Sequence, residues 1–429
     1  MKVVIIGGGF AGLKLARGLN NKQGIDVTLI DKINYHQFQP LFYQVATASL
    51  EASNISFPLR KVFQQSKNVK FRLAEVKEII SSSNKIITNI GEFNYDYLVI
   101  ATGADTNFFG NEQLQQACYP MKSTQEALQL RNHLLKSFEN ALQQTDTTKR
   151  QAFLNVVVVG AGPTGVEVSG ALAEMRNHIL PKDYVELDFN LMNIYLVEGS
   201  PRTLAAMSEE SSKHSKTYLE KLGVKVITAT VVKSYDGEIV ELNNGNKIEA
   251  RTVIWAAGIK GNIPEGIDKN LIVRGNRIKV NRFNLVEGTT NIFALGDVSY
   301  METSLYPHGH PQVANVAINQ AKNLAENFIF IQQNKTPLQE FEYNDKGSMA
   351  TVGRNLAVVD IPKPKLHFGG LLAWIIWMSL HLFLLVGVKN RLQVFINWMF
   401  KYFTKDTNLR LIINSLNKKE PTNNINQIN

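Results

Sequence analysis

Along the first three quarters of the chain, short unbroken apolar runs alternate with stretches of helical spacing. Residues 3–6, "VVII", form one such run, as a strand buried on both faces of a parallel sheet requires. Leu13, Ala16 and Leu19 then recur with a helical period, and a second run over residues 27–30 stops at Asp31. The succession returns in mid-chain. "VVVV" at Val156–Val159 leads into "GVEVSGALAEM", and "IYLV" ends at Glu198. The gap before Glu198 is long, so "RNHILPKDYVELDFNLMN" reads as an insertion. Later strands are predicted in "YLVIATGAD" (97–105), "TVIWAAGI" (252–259) and "TTNIFALGDVSY" (289–300). Strand and helix alternating in this way predict an α/β chain with parallel sheets.

Between strand and helix, each succession carries glycines in the spacing G-x-G-x-x-G: Gly7, Gly9 and Gly12, then Gly160, Gly162 and Gly165. Glycines let the backbone approach a pyrophosphate, and the helix N-terminus offers free N–H groups to its charge. An acid closing the second strand, Asp31 or Glu198, accepts ribose hydroxyls. The plainer reading, glycines in an ordinary tight turn, leaves both acids without a purpose. Two cradles suit two dinucleotides that exchange electrons. The Gly296-Asp297 strand end is typical of flavin domains, so the first cradle is assigned to FAD and the second to a nicotinamide cofactor. Glu198 would repel a 2′-phosphate and favours NADH, although Arg202 lies close to it in sequence. The expected architecture is two Rossmann-like dinucleotide-binding domains, the NADH domain inserted in the FAD domain. Its boundaries are 1–115 and 261–335 for FAD, 116–260 for NADH, and 336–429 for a C-terminal amphipathic membrane-anchoring region.

The tail changes character. Residues 368–388 hold no Lys, Arg, Asp or Glu. About 20 apolar residues can cross a bilayer core of about 30 Å, so length permits a span. The next stretch, "LQVFINWMFKYFTK", sets Gln393, Asn397, Lys401 and Lys405 four apart, one polar stripe on an apolar helix. Such a helix lies in the interface with its stripe to water, and Trp374, Trp377 and Trp398 suit a headgroup boundary. A monotopic anchor is expected in preference to a single span or a soluble dimer interface.

Net charge is +9. Residues 361–429 hold nine Lys or Arg against two acids, so most of the excess lies in the apolar tail. An anionic membrane surface explains both properties, and nucleic acid explains only one. A single cysteine, Cys118, excludes a disulfide framework, a CxxC redox pair and a cysteine metal site, and no metal is expected. It also excludes a sulfide:quinone oxidoreductase or a disulfide reductase. With the first strand starting at once and no leader before it, a cytoplasmic location is the default.

Nearly the whole chain resembles the type II NADH:quinone oxidoreductases, single-subunit flavoenzymes that do not pump protons. The resemblance rests on "GGGFAGL", "YHQFQPLFYQVATASL", "ATGAD", "GAGPTGVEVSGALAE", "WAAGI", "ALGD", "HPQVANVAINQA" and "YNDKGSMATVGRN" in that order. It implies FAD contacts at Gly7, Gly8, Gly9, Phe10, Ala11, Gly12, Asp31, Lys32, Val76, Ala101, Thr102, Gly103, Asp297 and Ala317. NADH contacts are implied at Gly160, Gly162, Pro163, Thr164, Gly165, Glu198, Ala257 and Gly258. Glu167 would be the catalytic acid beside the nicotinamide–flavin stack, orienting the carboxamide and relaying protons to the quinone; the plainer role is a first-turn acid complementing the helix dipole. Gln44, Thr47, Ala314 and Asn315 are the quinone-side candidates, and His36 is a weaker proton donor, since a lone histidine is more often structural. The family's A-Q-x-A-x-Q-Q appears as Ala314-Asn315-Val316-Ala317-Ile318-Asn319-Gln320, which puts direct quinone contact by Asn315 in doubt. Pro311 would open that helix, with Val313, Val316 and Ala317 packing and its N-terminus facing the flavin ring. The implied setting is the cytoplasmic face of the inner membrane, with a membrane quinone, the lipid surface and a second copy of the chain as partners. The alternatives are an NADH-sensing flavoprotein scaffold with slow turnover and a related reductase with another acceptor.

Overall fold

The computed structural model describes residues 1–413. The two successions build two five-stranded parallel sheets. The first runs Ile292–Ala294, Tyr97–Ile100, Lys2–Ile6, Asp26–Asp31, Val69–Leu73. The second runs Tyr119–Pro120, Thr252–Trp255, Val156–Val159, Ile194–Val197, Val224–Ile227. Central strands are buried on both faces, which is why their sequences are apolar without alternation. Strand Ile292–Ala294 joins the first sheet only after the second is complete, so the second fold is nested within the first. The exit and return paths pair as one antiparallel ribbon, Ala104–Thr106 against Ile259–Gly261.

Helix Pro163–His178 runs further than expected and takes in Arg176–His178, which the sequence assigned to the insertion. The insertion proper follows as a short helix, Leu180–Asp183, and a 3-10 turn, Phe189–Leu191. Residues 348–369 form a three-stranded antiparallel sheet that the apolar pattern did not reveal.

Three expectations are corrected here. First, residues 368–388 are not one helix. Phe368 and Gly369 end a strand, Gly370 (φ 78°) turns the chain, and the helix is Leu371–Leu384. Its 14 residues give a length of about 21 Å, short of a bilayer core of about 30 Å. Among the described residues no helix is long and apolar enough to cross a membrane. Gly387 (φ 88°) then breaks the path before the second tail helix, Val388–Thr404.

Second, the polar stripe of that helix faces the protein for most of its length. Asn390 donates to the carbonyls of Ser53, Asn54 and Ser56, and Lys401 pairs with Glu174 at 3.2 Å and donates to Ser49 at 3.0 Å. Gln393 and Asn397 are half-buried, and only Lys405 is exposed. Leu392, Phe395, Ile396, Phe400 and Phe403 point outward instead. The period was right, but the body offers enough buried acceptors to take the polar side. Trp377 and Trp398 are buried rather than placed at a boundary. Third, helix Ala314–Gln332 starts three residues after Pro311, and Val313 is exposed; Val316 and Ala317 are buried as expected.

Candidate active site

Each glycine turn lies at the carboxyl end of its sheet's middle strand. Gly7 (φ 103°) and Gly160 (φ 97°) take left-handed backbone at equivalent positions. A Cβ on Gly12 would fall 1.8 Å from the Gly7 carbonyl oxygen, and one on Gly165 1.8 Å from that of Gly160. Helix and turn therefore close together only with glycine there. Gly9 and Gly162 face open space, with nothing within 4 Å of where a Cβ would be. The closing acids match as well. Asp31 accepts the N–H of Gly8 at 2.5 Å and of Ile33 at 2.8 Å, and Glu198 accepts those of Ala161 at 2.5 Å and Ser200 at 2.7 Å. Arg202 is engaged elsewhere: it donates to the carbonyls of Ala205 and Met207 and lies 3.7 Å from Glu209.

A cavity of about 700 Å³ begins at the first cradle, where Gly7, Gly8, Gly9, Phe10 and Ala11 line it. It passes Asp31, Lys32 and Val76, continues along Ala101, Thr102 and Gly103, and reaches Asp297, Ala314 and Ala317. Burial raises the pKa of Asp297, opposed by Lys122 and Arg277. Pro163, Thr164 and Glu167, at the head of the second cradle's helix, close its far side. Gly12 serves the packing of the first cradle and does not line the cavity. Gly160, Gly162, Gly165, Glu198, Ala257 and Gly258 also lie off it, Ala257 packing directly on the Gly160 turn.

A second cavity, of about 440 Å³, lies between helix Pro163–His178, the C-terminal sheet and the tail helices. Trp374, Trp377, Trp398, Glu174 and Lys401 line it, as does Gln44. Gln44 donates to the Tyr43 hydroxyl and accepts from the Trp398 indole, both at 2.7 Å, and so ties the tail to the site. Glu167 and Tyr43 line both cavities. Burial pushes the Glu167 carboxyl up to about 8, against the Thr351 N–H and the Trp377 indole, which favour its charged form. Burial, and then the charge of Glu167, raise the Tyr43 hydroxyl well above its ordinary value.

Two quinone-side candidates lie elsewhere. Thr47 is buried, lines neither cavity, and donates to the Tyr43 carbonyl at 2.9 Å. Asn315 lines neither cavity and lies beside Tyr343. His36 donates its Nδ1–H to the Gly8 carbonyl at 3.1 Å, and burial lowers its pKa to about 4, so it supports the cradle and stays uncharged at neutral pH. Sequence reasoning missed Glu174 and Lys401 as cavity residues. Glu174 was within reach of it, since it follows Glu167 by two helical turns on the same face.

The nested pair of cradles defines a flavoprotein oxidoreductase class. The family model for pyridine nucleotide-disulphide oxidoreductases matches residues 1–321, and that for the NDH2 C-terminal domain matches residues 346–405. The chain is 33% identical over 417 residues to the type II NADH:quinone oxidoreductase Ndh of Mycobacterium tuberculosis, covering 94% of this chain and 88% of that one. It is 30% identical over 360 residues to the Staphylococcus haemolyticus type II NADH:quinone oxidoreductase, covering 82% and 87%. The structure of NDH2 from Plasmodium falciparum in complex with NADH superposes with a TM-score of 0.88 at 22% identity, covering 96% and 99%, which speaks to the fold. The chain belongs to the type II NADH:quinone oxidoreductase family. FAD is the cofactor of that family, and the first cradle fits it: side-chain-free glycines at the turn, the acid Asp31 at the strand end, and a long cavity beside them.

Proposed function

We propose that the protein oxidises NADH at the flavin cavity and reduces a membrane quinone in the second cavity, without pumping protons, while attached to the cytoplasmic face of the cell membrane. The observation that carries this reading is the common wall: Glu167 and Tyr43 line both cavities. Bound FAD would accept a hydride on one side and release electrons on the other. The remaining work falls to the chain. The second cradle orients NADH with Glu198 at its adenosine ribose, and with Arg202 occupied that carboxylate disfavours a 2′-phosphate. Glu167, protonated at neutral pH, holds a proton on its carboxyl oxygen where the quinone would need one. The outward apolar face of the tail helices suits the lipid in which long-tailed quinones dissolve.

The test is stopped-flow on the holoenzyme. NADH should bleach the flavin promptly, and added quinone should restore its colour. Bleaching without recovery would rule out the quinone and favour another acceptor or a sensing role. In sealed proteoliposomes, turnover should take up one proton per NADH oxidised and acidify neither compartment.

A further inference from the structure

Between the crossover strand Ala104–Thr106 and helix Glu112–Ala117, the chain holds a phenylalanine in an unusual state. Phe109 has φ 53°, and its side chain is 69% exposed. Left-handed backbone is costly for a bulky residue, and an exposed ring gains nothing from burial to offset it. The conformation is instead imposed by a set of ties. Asn107 accepts the Phe109 N–H on its side chain at 2.8 Å and donates its own N–H to the Gly258 carbonyl at 3.2 Å. The Trp255 indole donates to the Asn107 carbonyl at 2.9 Å, and Phe108 stacks on Trp255 with centroids 5.5 Å apart.

Every one of these ties beyond the loop ends on the strand Thr252–Trp255 or the turn after it. They leave the Phe109 ring over Gly258, where a Cβ would lie 3.0 Å from the ring's Cζ. The place has meaning in the cradle. Glu198 marks the adenosine-ribose end, and the Gly160 turn marks the pyrophosphate. The strand Thr252–Trp255 flanks that turn on the opposite side from Glu198. The dinucleotide must therefore leave the cradle past Gly258 to bring its nicotinamide to the flavin cavity.

We propose that Phe109 is an NADH-binding residue: its ring packs on the nicotinamide-ribose half of the cofactor as it crosses Gly258. The ring is buried only when NADH is present, which accounts for its exposure and for the strained backbone that presents it. The proposal rests on the assignment of the second cradle to NADH.

Steady-state kinetics of the holoenzyme test it. Phe109→Ala should raise KM for NADH roughly tenfold, with kcat and the KM for quinone little changed, and Phe109→Tyr should restore the wild-type value. Phe109→Asn separates binding from folding, because asparagine accepts left-handed backbone. It should raise KM equally while leaving the thermal midpoint at or above that of the wild type. An unchanged KM in the Ala and Asn variants, or a rise that tracks lost thermal stability, would overturn the proposal. Failure of the underlying assignment looks different: wild-type flavin would not bleach with NADH, and both would fall together.

Discussion

Replacing Glu167 by glutamine keeps the shape of the side chain and removes its proton. With the carboxyl titrating at about 8, about nine-tenths of the wild-type molecules hold that proton at pH 7 and about one-tenth at pH 9. If the proton goes to quinone, the wild-type rate of flavin reoxidation should fall roughly tenfold between those pH values. In Glu167→Gln that rate should be lower, by about 10²-fold or more, and flat with pH. Bleaching by NADH should stay within a fewfold of wild type. Stability gives an independent readout. The folded carboxyl titrates above its ordinary value of 4.5, so its contribution is fully present below that value and is lost as pH rises toward 8. Glutamine mimics the protonated form at every pH. The mutant should therefore match the wild type near pH 4.5 and exceed it by about 3 kcal/mol at pH 7, at about 1.36 kcal/mol per pH unit. Half-reactions by stopped flow and urea midpoints across pH 4.5–9 measure both. Parallel pH profiles for the two proteins, or a stability gap that does not widen with pH, would refute the reasoning.

Trp398→Phe removes the donor to Gln44 and should raise KM for quinone severalfold, leaving NADH bleaching unchanged, since a buried acceptor is left unpaired. Changing Leu392, Phe395 and Phe403 together to serine should abolish flotation with lipid vesicles while sparing activity on a short-chain, water-soluble quinone. Glu198→Gln should weaken discrimination against NADPH about tenfold, read as the ratio of kcat/KM values. Gly170→Ala should lower the thermal midpoint sharply or prevent folding, because a Cβ there would lie 1.6 Å from the Val352 carbonyl oxygen.

The nested cradles were legible because a doubly buried strand, a glycine turn and a closing acid are each local in sequence. The tail helix was legible in period but not in direction. Whether the Lys401 side of that helix meets water or protein depends on Glu174 and Ser49, more than 200 residues away. The sheet over residues 348–369 escaped notice although Ala350, Val352, Ala357, Val358 and Val359 are buried: its strands are six residues or shorter, and what they cover, such as Gly170 of helix Pro163–His178, lies far away in sequence. Asn315 illustrates a related limit. Its motif position suggested the quinone, but helix Ala314–Gln332 starts late enough that only Ala314 and Ala317 line the flavin cavity.

The paired strands Ala104–Thr106 and Ile259–Gly261 have a consequence for engineering. Both covalent junctions of the inner fold lie within one narrow ribbon, so that fold resembles a cartridge held by adjacent terminals. A chimera that takes its inner portion from a homologue must match the host at that ribbon, at helix Pro163–His178, where helix Thr124–Leu142 packs on residues 42–46, and where Ser208 and Ser211 bind Asp360 of the C-terminal sheet. Coenzyme preference could then be exchanged without redrawing the flavin-binding frame.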